Sequence, residues 1–163
     1  MARAHRRLTD ATDRGDGVKA SLTRPAIFGA FDGTASLLGV IVYLLINHPA
    51  LIFPAAASGA ISSAISMGGG EFLSDSDNGL GASGVMALAT FLGAVLPAVP
   101  FAFGTGPAEI AVSSAVIIGI GVVVSLMREN RGRGLSLAET FGLLALVAVV
   151  VVLCGLLLPG GAA

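Results

Sequence analysis

The 163-residue sequence contains no tryptophan, one tyrosine and one cysteine, and its charged residues amount to only 12%. A single cysteine excludes an intramolecular disulfide. Cys154 lies in a run of Val and Leu, with no electropositive setting that would make a reactive thiolate. The charge share is about half that of a soluble domain, too little to cover a water-soluble globule. Lys and Arg are missing altogether between Arg24 and Arg128. A P-loop, a dinucleotide fingerprint, a zinc-ligand cluster and a nucleophile–base pair are missing too, and His5 and His48 both fall outside the apolar runs, so no enzyme and no bound cofactor are expected. With Tyr43 the only Tyr or Trp, an aromatic belt can fix interfacial depth only weakly. The first 24 residues are polar and carry no A-x-A cleavage pattern behind a short apolar core, so no secretory leader is expected.

What is present is hydrophobic: 55% of the residues, with a mean hydropathy of +0.91. The apolar residues fall into five runs near 26–46, 51–73, 82–103, 108–127 and 137–158. Each is about 20 residues, which at about 1.5 Å per residue spans a hydrocarbon core of about 30 Å. The expected fold class is therefore all-α: a polytopic membrane protein in which residues 25–163 form a five-helix transmembrane bundle. Residues 1–24 read as a polar, aperiodic, mobile arm. Turn chemistry marks the breaks at Asn47-His48-Pro49, at Ser74 to Gly79, at Gly104-Thr105-Gly106-Pro107 and at Arg128 to Ser136. Ser136 and Glu139 have capping-box spacing at the head of the fifth helix. Short connections imply that consecutive helices are antiparallel neighbours.

Charge fixes the expected orientation. Of nine basic residues, six lie in the arm (Arg3, Arg6, Arg7, Arg14, Lys19 and Arg24), and Arg128, Arg131 and Arg133 lie in the fourth break. With the arm in the cytoplasm all nine are cytoplasmic, as the positive-inside rule requires, and the C-terminus is on the opposite side. The expected location is the plasma membrane of a prokaryote. The arm also carries Asp10, Asp13 and Asp16 and no aromatic residue, so nucleic acid is not an expected partner.

Small residues are abundant, with 23 glycines. Gly29 and Gly33 form a G-x-x-x-G in the first span. Ser58, Ser62, Ser66 and Gly70 recur every four residues in the second, beside a stripe of Ala60, Ala64 and Gly68. Such faces let membrane helices approach closely, and a homodimer held through them, Gly29 and Gly33 included, is expected. The serine hydroxyls serve either packing or a polar path. Gly68-Gly69-Gly70 would loosen or bend the second helix, and Pro97 and Pro100 would kink the outer half of the third.

Two carboxylates, Asp32 and Glu71, fall within the spans away from their extreme ends. An acid at mid-membrane costs roughly 2.5–3.5 kcal/mol on insertion scales, which makes Asp32 and Glu71 functional candidates. Asp32 lies about six residues past the start of the first span, Met67 about six from the cytoplasmic end of the second, and Glu71 one turn below Met67. The three are expected to converge between the first two helices. Carboxylates with a thioether and hydroxyls suit a divalent transition metal of intermediate softness, with Ser66 and Ser62 as weaker ligands. Asp75 and Asp77 would assist cation capture or simply be solvated.

Three stretches give a family resemblance. Gly29-Ala30-Phe31-Asp32-Gly33, Ser66-Met67-Gly68-Gly69-Gly70-Glu71-Phe72-Leu73-Ser74 and Leu96-Pro97-Ala98-Val99-Pro100-Phe101 are similar, in order and helix, to motifs of the vacuolar iron transporter family. The resemblance implies a homodimeric carrier of Fe2+ or Mn2+, driven by proton exchange, with a metal path at the subunit interface. It implies that Asp32 and Met67 line the path and that Glu71 is the glutamate of the second motif. Two departures accompany it. The Glu-rich cytoplasmic domain of well-known members, between the second and third helices, is here only a short connection. Phe72 and Phe101 stand where tyrosines are usual. The expected function is export of iron or manganese from the cytoplasm. The alternative is a non-transporting membrane scaffold or assembly partner with the same fold.

Overall fold

A computed structural model describes residues 2–74, 79–128 and 132–157. Among these the chain is all-α. The helices are α1 (Ala2–Asn47), α2 (Ile52–Ser74), α3 (Gly79–Ala98), α4 (Pro107–Met127) and α5 (Arg133–Leu157). Short 3₁₀ turns at Pro49–Leu51 and Val99–Ala102 flank α2 and α3. Five segments are long and apolar enough to cross a membrane: Leu22–Asn47, Pro49–Ser74, Leu80–Ala102, Pro107–Met127 and Arg133–Cys154. The chain is a multi-pass integral membrane protein, and lipid is the environment of its outer surface.

The arm differs from the expectation. Residues 2–24 are not an irregular lead-in but the first half of α1, which runs unbroken through Pro25. Pro25 supplies no N–H to the carbonyl one turn earlier, yet the flanking turns keep the helix in phase. The second helix also stays whole: α2 passes through Gly68-Gly69-Gly70 without a break. Proline does act in the third, where the α-helix ends at Ala98 and tightens into the 3₁₀ turn containing Pro100.

The bundle is built on α1 and α3, a pair not adjacent in sequence. A Cβ on Gly29 would lie 2.5 Å from the Met86 carbonyl oxygen, and one on Gly33 would overlap the carbonyl oxygen of Thr90. From the other side, a Cβ on Gly93 would lie 2.5 Å from the Ala30 carbonyl oxygen. The backbones touch because neither helix carries a side chain at the crossing. The Thr34 hydroxyl sits in the same seam, 2.8 Å from the Ala30 carbonyl oxygen and 3.1 Å from that of Gly93. Since Gly29 faces residues 86 and 90 and Gly33 faces 90 and 94, α1 and α3 run parallel. The G-x-x-x-G expected to hold two copies together is thus occupied within one copy.

Helix α2 joins this pair at Gly68, where a Cβ would lie 2.7 Å from the Ala87 Cβ and the Ser83 hydroxyl donates to the Gly68 carbonyl at 2.7 Å. The apolar core lies toward the other end, with Leu37, Ile41, Ile52, Ala56, Ala94, Ala98 and Phe101 buried together. Among the described residues α2 touches neither α4 nor α5. Helix α5 lies against α1 and α4, and a Cβ on Gly39 would lie 3.2 Å from Val151.

The α4–α5 junction is clamped by hydroxyls. The Ser136 hydroxyl donates to the Ser125 carbonyl at 3.0 Å, Ser125 to Gly121 at 2.8 Å and Thr140 to Ser136 at 2.9 Å. All three hydroxyl residues are buried. Arg128 pairs with Glu139 at 2.8 Å. This replaces the expected capping box: α5 begins one turn earlier, at Arg133, so the Ser136 N–H already bonds the Gly132 carbonyl and its side chain is free to reach α4.

Candidate functional site

The span of α1 begins at Leu22, so Asp32 lies ten residues in, about 15 Å along the helix and near the middle of a hydrocarbon core of about 30 Å. It is half-buried. Its neighbours one turn either way, Phe28 and Ser36, are both exposed, as are Arg24 and Val40 a further turn out. Asp32 therefore stands within the stripe of α1 that no other helix of the protomer covers.

The second helix has an uncovered stripe as well, and it is polar. Ser58, Ser62, Ser66 and Gly70 are all exposed, while the adjacent Ala60 and Gly68 are buried. Of the two small-residue stripes in α2, the alanine one packs inside the bundle and the serine one faces out. A Cβ at Gly59, Gly69 or Gly70 would meet nothing within 4 Å. A glycine inside a helix costs roughly 0.8–1.0 kcal/mol relative to alanine, and nothing in the protomer requires these three. Met67 and Glu71 are half-buried at the border of this face.

Helix α3 serves as a common ruler for depth. Gly33 lies opposite Thr90 and Ala94, and Gly68 opposite Ser83 and Ala87. Asp32 is thus about five residues, or about 7 Å, farther than Met67 from the end carrying Arg24, and about 13 Å farther than Glu71. The expected equal depth of Asp32 and Met67 is not found, because the first span starts four residues earlier than its apolar run suggests. Ser62 is the α2 residue level with Asp32. From that end the candidates form steps: Glu71, then Met67 and Ser66, then Asp32 and Ser62.

Among the described residues no three His, Cys, Asp or Glu side chains gather into a group that could hold a metal. Any cation held here within one protomer would have single carboxylates, the Met67 thioether and hydroxyls as its protein ligands. Asp75 and Asp77 lie outside the described residues. The exposed serine stripe was legible as a period of four; its exposure was not. Comparison with known proteins adds no identity: no family model, no curated protein and no solved structure matches this chain.

Proposed function

We propose that this protein carries a divalent transition metal, Fe2+ or Mn2+, across the membrane, exporting it from the cytoplasm in exchange for protons. It works as a homodimer whose second copy covers the open stripes of α1 and α2. The observation that carries this reading is the place of Asp32: mid-span, in the uncovered stripe of α1, with no Lys or Arg anywhere from residue 25 to 127. A carboxylate facing hydrocarbon is costly. A second copy laid over α1 and α2 would replace lipid there with two sets of Asp32, Ser62, Ser66, Met67 and Glu71. Such a doubled set supplies the oxygen and thioether ligands that one protomer has only singly. The three motifs resembling vacuolar iron transporters point the same way. The basic end of the bundle, with Arg24, Arg128 and Arg133, faces the cytoplasm of a prokaryotic cell in this reading, so Glu71 is the first step of the path and Asp32 the deepest.

The scaffold reading has one observation of its own: the lack of a three-residue acidic or histidine cluster among the described residues. Flux of Mn2+ and Fe2+ into proteoliposomes, with internal pH followed by a trapped dye, separates the two. Metal-dependent proton movement that is lost in Asp32→Asn is expected of a carrier. No flux above empty vesicles, at matched protein levels, leaves the scaffold.

A further inference from the structure

The first turn of α4 holds a carboxylate that the transport reading does not use. Glu109 is the third residue of that helix, at the end of the bundle remote from Arg24. It makes no hydrogen bond and no ion pair with any described residue. Its two oxygens lie instead against the loop that precedes the helix. A Cβ on Gly104 would come within 3.0 Å of Oε1, and one on Gly106 within 3.0 Å of Oε2. The side chain is half-buried there, and no Lys or Arg occurs from residue 25 to 127 to neutralise it.

One turn deeper, on the same face of α4, stands Ser113. It is only 3% exposed. The other buried hydroxyl residues, Thr34, Ser83, Thr90, Ser125, Ser136 and Thr140, each donate to a carbonyl. Among the described buried hydroxyls, Ser113 alone makes no hydrogen bond. Yet no sealed polar side-chain atom lacks a partner among the described residues, so the little surface that Ser113 keeps lies at its oxygen. That oxygen faces a crevice rather than packed atoms. Helical side chains lean toward the N-terminus, so the hydroxyl lies over the turn that begins at Glu109.

The loop adds acceptors of the same kind. The carbonyls of Phe103, Gly104 and Thr105 accept no backbone hydrogen bond. The donor set is thus all oxygen: one unpaired carboxylate, one unpartnered buried hydroxyl and free loop carbonyls. Anions are repelled by the carboxylate, and soft metals seek sulfur or imidazole, which this set lacks. Hard cations take such oxygens. We infer that Glu109 and Ser113, with the carbonyls of the 103–105 loop, bind a hard divalent cation of the calcium class. A single carboxylate sets a weak affinity, on the order of 1 mM, as in extracellular calcium modules. The bound cation would tie the α3–α4 loop to the head of α4. This inference is independent of metal transport, since α4 does not touch α2 and Asp32 has no part in the site.

The thermal midpoint of the full-length protein in a nonionic detergent, followed as CaCl2 is raised to about tenfold the expected Kd, tests it. The midpoint is expected to rise by about 3 °C, against choline chloride at equal ionic strength. Glu109→Gln should abolish the rise while leaving the calcium-free midpoint nearly unchanged. Ser113→Ala, which removes no charge, should weaken binding severalfold, and Ser114→Ala, at the exposed neighbouring position, should not. Asp32→Asn should keep the full rise. No rise above the choline control would leave Ser113 to water alone and overturn the proposal. A rise that survives both Glu109→Gln and Ser113→Ala, or one lost in Asp32→Asn, would put the cation elsewhere and overturn it equally.

Discussion

Gly33 of α1 and Thr90 of α3 meet backbone to backbone: a single added carbon on Gly33 would overlap the Thr90 carbonyl oxygen. Neither backbone can retreat without opening the central seam of the bundle. Gly33→Leu should therefore destabilise the protomer itself, by at least the ~1–3 kcal/mol typical of overpacking. A lower thermal midpoint in detergent, with loss of folded monomer as well as dimer, is expected. An intact monomer that merely fails to associate would return Gly33 to the subunit interface.

The α2 face should behave in the opposite way. Ser62→Leu with Gly70→Leu adds bulk where a Cβ on Gly70 meets nothing within 4 Å. Helix propensity favours leucine over both residues, so the protomer should be as stable or slightly more so. Cross-linking in lipid should show the dimer lost, and metal flux with it. A dimer unchanged by both substitutions would place the interface elsewhere.

Asp32→Asn should abolish metal flux while leaving insertion and dimer formation intact, because a neutral amide in mid-span is easier to insert than a carboxylate. Met67→Ala removes a soft ligand but no charge, so the ratio of Fe2+ to Mn2+ flux should change more than the total. Glu71→Gln should fall between them, since Glu71 sits at the outermost step, where water can replace it. Wild-type flux in Asp32→Asn at matched protein levels would make Asp32 a packing residue.

At the α4–α5 junction, hydroxyls should matter at least as much as charge. The Arg128–Glu139 pair leaves about a third of each side chain exposed, 31% and 29%, so solvent screens it. Removing it should cost roughly 0.5 kcal/mol or less, within the range for exposed pairs. Ser136→Ala deletes a buried donor to the Ser125 carbonyl and should cost about 1 kcal/mol. Thermal midpoints of Glu139→Gln and Ser136→Ala give the comparison, and a larger drop for Glu139→Gln would reverse the ranking.

Orientation is tested by Thr105→Cys and Gly132→Cys in a Cys154→Ala background. Position 105 should react with a membrane-impermeant maleimide in intact cells and position 132 only after lysis. Labelling of position 132 from outside would invert the topology.

The five spans and their all-α character were legible in the sequence, because continuous apolar runs of about 20 residues with few charges match a helix crossing a hydrocarbon core and are twice as long as a spanning strand needs. The proposed orientation rests on the same kind of global constraint, the clustering of all nine basic residues before residue 25 and after residue 127. Which small-residue stripe faces what was not legible. Gly29 and Gly33 look as fit for a second copy as for α3, and Ser62 as fit for the interior as Ala60, because a small residue permits a close approach without specifying the partner. Only the crossing of α1 on α3 used up the first stripe, and only the position of α2 at the bundle edge left the serines open. The depth of Asp32 was misjudged for a related reason: hydropathy locates a span to within a turn, whereas backbone contacts to α3 fix it to a residue or two. The first half of α1 was the least legible part. Its polar, aperiodic residues give no sign that the helix of the first span continues back through Pro25 to Ala2.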